Sequence, residues 1–203
     1  LIEEIPSLDL DDFRNNLSRD TFVKALGDGF SAIGFVAVRN HYLTDDLVNN
    51  LYKDFESFFQ LDDSVKEKYY RPELFGQRGY VPKRKENAKG STQPDLKEFY
   101  HIGQVVSQQN LFELGYPTNI WPSEVKRLQS SCEAVYEALE QTGLELLRAI
   151  ALFLCLEEEY FESKVVLGNS ILRAIHYFPL APKDIKNGSV RAGVHGDINL
   201  ITL

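Results

Sequence analysis

The longest regular pattern in the chain runs from Val125 to Leu154. There Val125, Leu128, Cys132, Val135, Leu139, Gly143, Leu146, Ile150 and Leu154 recur at intervals of three and four. That period predicts one helix with a single apolar stripe, sustained for roughly 45 Å at 1.5 Å per residue. A one-sided helix of that length needs a surface to lie along, and strand-like segments before and after it supply a sheet. Ser123, after Trp121-Pro122, is the expected N-cap, the helix is expected to reach about residue 156, and Gly143 is a point where it can bend. It reads as a scaffold and carries no evident chemistry.

The preceding segments read as shorter elements. Ile5 to Leu10 suits a short edge strand, where Pro6 is tolerated. Ser18 is a candidate N-cap for a helix whose face is Phe22, Leu26, Phe30 and Ile33, ending at Gly34. Phe35 to Val38 reads as a buried strand. Thr44-Asp45-Asp46 reads as a capped helix start, with Leu47, Leu51, Phe55, Phe58 and Phe59 as the apolar stripe. A short helix is expected around Ser64 to Tyr69. Residues 71–95, with scattered Pro, Gly, Lys and Asn, read as loop, and the run Lys83-Arg84-Lys85 within it is either solvated or a contact for an anionic group. Lys97 to Gly103 reads as a strand, with His101 hydrogen-bonded at its surface. Glu157 to Tyr160 should begin a short helix, and a strand series should start with Ser170 to Phe178.

A chain of 203 residues, 43% hydrophobic, can bury one substantial core, and a single domain is expected. The net charge of −8 argues against broad affinity for nucleic acid or anionic lipid and favours small-molecule chemistry. No apolar run approaches the ~20 residues a membrane span needs, and LIEEIPSLDL does not read as a secretory signal, so the cytosol is the expected location. There, Cys132 and Cys155, both on a helical pattern, read as reduced core residues rather than a disulfide.

The last fourteen residues, VRAGVHGDINLITL, hold the candidate chemistry. His195 and Asp197 sit two apart in a strand-like stretch, so their side chains should leave the same face, joined there by Arg191 and Asn199. Val190, Ala192, Val194, Ile198 and Leu200 would face the core. One imidazole and one carboxylate are two members of the facial triad that binds non-haem Fe(II). By spacing alone, a His-Asp pair without metal is the commoner meaning.

Five stretches in order resemble the isopenicillin N synthase-like family of non-haem iron oxygenases, most of which use 2-oxoglutarate. They are GFVAVRNHYL at 34–43, FFQLDDSVKEKYY at 58–70, GYVPKRKENAKGSTQPDLKEFYHIG at 79–103, ILRAIHYFPL at 171–180 and RAGVHGDINLITL at 191–203. The resemblance implies an α+β fold whose core is a double-stranded β-helix, or jelly-roll, with N-terminal helices and the long helix buttressing it. It implies a layout of 1–110 as the N-terminal dioxygenase region, 111–165 as scaffold and 166–203 as the start of the jelly-roll. Because Met is absent and the chain stops in an apolar strand just after HxD, it is expected to be truncated.

The same resemblance assigns Fe(II) to His195 and Asp197, with a third ligand expected beyond Leu203. It implies 2-oxoglutarate as cosubstrate, with His176, Tyr177 and Asn199 as candidate contacts and Arg78 and Tyr80 as candidates at the substrate end. The chain departs from the family pattern where Phe178, which has no hydroxyl, stands directly before Pro179; either Tyr177 takes over that contact or His176 supplies the polar group, and both also read as ordinary strand residues. His41 looks structural. The implied reaction is Fe(II)-dependent oxidation of a small organic molecule with O2, by hydroxylation, desaturation or ring closure. No nucleic-acid or membrane partner is implied, and a monomer or weak homo-oligomer is expected. Two alternatives stay open: a synthase-like oxidase that uses no 2-oxoglutarate, and a metal-free barrel serving as a binding or regulatory module.

Overall fold

In a computed structural model, residues 4–83, 85, 95–180, 190–193, 196–197 and 199–203 are described. The chain forms two compact units: Leu1–Val48 with Ala134–Gly168 and Leu203, and Asn49–Glu133 with Asn169–Thr202.

The first unit opens with strand β1 (Ser7–Asp9), which pairs in parallel with β2 (Ala37–Arg39). The expected strand at 5–10 is shorter because Asp9 caps helix α1 (Leu10–Arg14), its carboxylate accepting from the Asp11 amide at 3.0 Å. Asn40 donates to the same carboxylate at 2.8 and 2.9 Å. Helix α2 (Arg19–Ala32) buries Phe22 and Leu26 as its periodicity predicts. Ser18 stands at its N-cap, but the hydroxyl donates to the Asp12 carbonyl instead of capping. Leu10, Phe13, Phe22, Leu26, Leu146 and Ala149 make the core. Gly27 permits a close contact: a Cβ there would lie 2.0 Å from the Phe153 ring. The strand expected to be buried at 35–38 is an edge, with Phe35 67% exposed, because β2 is bonded on one side only.

Helix α3 (Asp45–Phe59) begins where Thr44 accepts from the Leu47 amide, as its sequence suggests. In the second unit its residues Phe55, Phe58 and Phe59 enter a core with Tyr80, Tyr100, Ile102, Leu128 and Cys132. Phe58 meets the Tyr100 ring edge-on at 5.0 Å, a favoured aromatic geometry. Short helix α4 (Asp63–Lys66) follows. The region read as loop contains a three-residue strand, β3 (Gly79–Val81), too short to show a period. It pairs antiparallel with β4 (Glu98–Gly103), which pairs antiparallel with β5 (Ile171–His176).

Every residue of β4 is buried because it is the middle strand. Helix α5 (Gln108–Leu114), not anticipated, follows it. The long helix α6 (Leu128–Phe153) forms later than expected, since residues 123–127 make turns and Ser123 is instead tied to Tyr69. Cys132 is buried as expected, whereas Cys155, just past the end of α6, is exposed. The later short helix is α7 (Glu162–Val165), a few residues beyond its expected place.

Among the described residues the fold is mixed helix and sheet, with no closed barrel. The strand expected over 190–203 is not formed there: 191–192 and 199–200 are bends, and Val190 and Leu200 are exposed. A strand requires a ladder of bonds from a neighbour, and the described residues of this segment belong to neither sheet.

Candidate functional site

The register of the three-stranded sheet determines which side chains meet. Tyr80 stands opposite Tyr100, Glu98 opposite His176, and His101 opposite Arg173. Alternation puts Glu98, Tyr100 and Ile102 on one face and Phe99, His101 and Gly103 on the other. Glu98 therefore sits at the end of the aromatic core, fully buried.

A carboxylate in that position requires donors, and it has three. Lys66, itself 2% exposed, donates to Oε2 at 3.0 Å, the Tyr80 hydroxyl donates to the same oxygen, and His176 Nδ1 donates to Oε1 at 2.8 Å. Burial pushes the Glu98 carboxyl upward, but the hydrogen bonds from Tyr80, His176 and Lys66 outweigh it and hold the group below the usual carboxylate range. Burial, together with the bond to Glu98, pushes the Tyr80 phenol well above its ordinary range. Lys66 is further tied to the Phe59 carbonyl at 3.3 Å and to Asp63 at 2.9 Å. His176 stacks on Phe59 with ring centroids 5.0 Å apart. The ring is thus held in plane by Phe59 and in tautomer by Glu98, since an ionised carboxylate can only accept.

On the opposite face His101 is buried, not at the sheet surface as expected. Arg173 Nε donates to its Nε2 at 2.5 Å, which leaves Nδ1 to donate to the Gly76 carbonyl at 2.5 Å. Arg78, a candidate substrate contact, is buried, donating to the Gln77 carbonyl and to Asn169. Its guanidinium lies against Gly103, where a Cβ would come within 2.0 Å of it. Tyr80, the other such candidate, is buried on Glu98.

Beyond β5 the chain gathers the remaining candidates. Tyr177 is 43% exposed, and the Arg191 guanidinium lies 5.8 Å from its ring centroid while donating to the Phe178 carbonyl at 3.3 Å. Phe178 is buried, with the Lys83 ammonium 5.1 Å from its ring centroid. Asp197 and Asn199 are exposed and meet at one hydroxyl: Thr202 donates to Asp197 Oδ2 at 3.3 Å and accepts from Asn199 at 3.2 Å. Arg84 and His195 lie outside the described residues.

Lys66, Glu98 and Thr202 escaped the sequence reading. Glu98 carried a signal, since it shares its alternation with Tyr100 and Ile102, and a carboxylate on an apolar face calls for a cation. Among the described residues no three His, Cys, Asp or Glu side chains gather into a metal-binding group. Asp197 nonetheless offers an exposed anionic oxygen steadied by a hydroxyl, a donor that suits Fe(II).

The described residues define a mixed helix-and-sheet fold built on an antiparallel sheet, with the His-x-Asp sequence following it in the chain. The chain belongs to the non-haem dioxygenase family: the family model described as "non-haem dioxygenase in morphine synthesis N-terminal" matches residues 5–124. It is 27% identical to the 2-oxoglutarate-dependent dioxygenase imqE of Aspergillus flavus, over 100% of this chain and 63% of that protein. It is 32% identical to kihadalactone A synthase LFS of Citrus sinensis, over 84% of this chain and 52% of that one.

Among solved structures, a 2OG-Fe(II) oxygenase family protein from Caulobacter crescentus superposes with a TM-score of 0.80 at 32% identity, covering 96% of this chain and 61% of that one. A full-length Neurospora crassa protein in complex with alpha-KG gives 0.79 at 26%, covering 95% and 61%. The chain thus spans less than two thirds of the length of these relatives. No helix among the described residues is long and apolar enough to cross a membrane.

Proposed function

We propose that the whole protein is an Fe(II)- and 2-oxoglutarate-dependent oxygenase acting on a small organic molecule with O2, and that 166–203, with β5, begins its jelly-roll. The observation that carries this reading is the family match over 5–124 followed, in the family's order, by His195-Gly196-Asp197. The 2-oxoglutarate branch is preferred because several relatives carry that cosubstrate in their names.

His195 and Asp197 would hold the metal as two members of its ligand set. When bound, Fe(II) with 2-oxoglutarate and O2 supplies the oxidising power for a substrate C–H bond. This chain's residues do the rest. Thr202 holds the Asp197 carboxylate by one oxygen, steadying its orientation. Tyr177 presents a hydroxyl for a cosubstrate carboxylate, with Arg191 against its ring adding positive charge, and Asn199 offers an amide contact. His176, locked by Glu98 and Phe59, is a fixed polar group on the same wall. Tyr80 supports His176 through their shared partner, the Glu98 carboxylate.

In the full-length protein, His195→Ala and Asp197→Ala should each abolish Fe(II)-dependent turnover while leaving far-ultraviolet circular dichroism unchanged. Wild-type protein with Fe(II) and 2-oxoglutarate should give a weak visible charge-transfer band without oxygen. Undiminished turnover in either variant overturns the assignment; iron binding without the band moves it to the oxidase branch.

A further inference from the structure

We propose that Asp95 is a positioning residue for the metal: by accepting the Gly193 amide it holds the segment that leads into the His195-Gly196-Asp197 motif. The inference rests on the Fe(II) reading above.

Asp95 lies just before β4 and is 3% exposed. One of its oxygens, Oδ2, pairs with the ammonium of Lys97 at 3.0 Å, itself 5% exposed. The other, Oδ1, accepts from the Gly193 N–H at 3.2 Å. The next residue, Leu96, donates its amide to the Val190 carbonyl at 2.9 Å. Two consecutive residues therefore grip both ends of 190–193, the stretch that leads directly into His195. A single residue separates Gly193 from His195, so only two peptide units link the held Gly193 to the imidazole-bearing residue.

Folding alone gives little reason for this arrangement. Burying an ion pair costs desolvation that its attraction barely offsets, and an apolar pair of the same volume would serve the core as well. What an apolar residue cannot supply is a fixed acceptor aimed at a backbone amide beside the ligands. Groups that orient metal ligands usually bond to the ligand side chain itself. Here the same control is exerted on the main chain.

Two substitutions separate the positioning role from the ion pair. Asp95→Asn loses the charge facing Lys97 but keeps a side-chain oxygen for the Gly193 amide; Asp95→Ala loses both. Both should be less thermally stable than wild type. In the full-length protein without oxygen, calorimetric titration with Fe(II) should show Asp95→Ala weakened about tenfold or more, the scale typical of lost ligand-orienting groups. Asp95→Asn should bind nearly as well as wild type, and the Gly193 amide should exchange with solvent faster only in Asp95→Ala. If Asp95→Ala does not fold, the double substitution Asp95→Leu with Lys97→Met removes the pair together and should show the same loss.

Equal weakening in Asp95→Asn and Asp95→Ala, or wild-type affinity in Asp95→Ala or in the double variant, overturns the proposal. Wild-type protein that binds no Fe(II), or binding that survives His195→Ala, overturns instead the oxygenase reading on which it rests.

Discussion

Glu98 has no contact with solvent and accepts hydrogen bonds from a lysine, a tyrosine and a histidine. Its folded-state carboxyl lies below the ordinary value of 4.5. The stability it contributes is therefore fully present above that value and is lost as pH falls below it toward the depressed folded value. Urea unfolding of the wild type between pH 7 and pH 3 should show this loss. Glu98→Gln should be less stable at pH 7 by about 3 kcal/mol, because a buried cation loses its partner, and its stability should vary less with pH below 4.5. A slope identical to wild type would show that another carboxylate dominates acid unfolding. Lys66 and Glu98 share a reason for escaping a sequence reading. Charge in a sequence reads as exposure, and only the register of a sheet reveals which charges have been given partners indoors.

Elements with a long apolar period were legible because the period itself reports burial. Phe55, Phe58 and Phe59 on α3, Phe22 and Leu26 on α2, and the stripe of α6 all follow from spacing. Elements of three to five residues, such as α1 and β3, are too short to have one. Helix α2 makes a testable demand at Gly27, where the Phe153 ring occupies the space of a missing side chain. Gly27→Ala should gain roughly 1 kcal/mol of helix propensity yet destabilise on balance, since overpacking costs about 1–3 kcal/mol. Chemical denaturation should show this net loss, and adding Phe153→Leu should recover part of it. A stabilised single variant would mean the ring moves aside freely.

At the scale of the whole molecule, the HxD motif was legible as a pattern, but its meaning came from five ordered words spread across the chain. Local physics could not supply the strand expected around it, because a strand needs a ladder of bonds from a neighbour, and the described residues of 190–203 join neither sheet. Binding to the folded state alone should couple metal and cosubstrate to global stability. In the full-length protein, Fe(II) at a hundredfold excess over its dissociation constant should add about 2.7 kcal/mol, and 2-oxoglutarate bound beside it should add more. Anaerobic thermal scans should show the raised midpoint in wild type and none in Asp197→Ala; an equal rise in both would place binding elsewhere.

The cluster at the end of β4 also restricts how this protein can change. A mutant library that varies position 176 alone would leave Glu98 short of a donor inside the core, so many new side chains would be discarded for misfolding before their effect on selectivity could be seen. Positions 66, 80, 98 and 176 are energetically coupled through their shared hydrogen bonds, and an engineered lineage must exchange them jointly to explore new chemistry there.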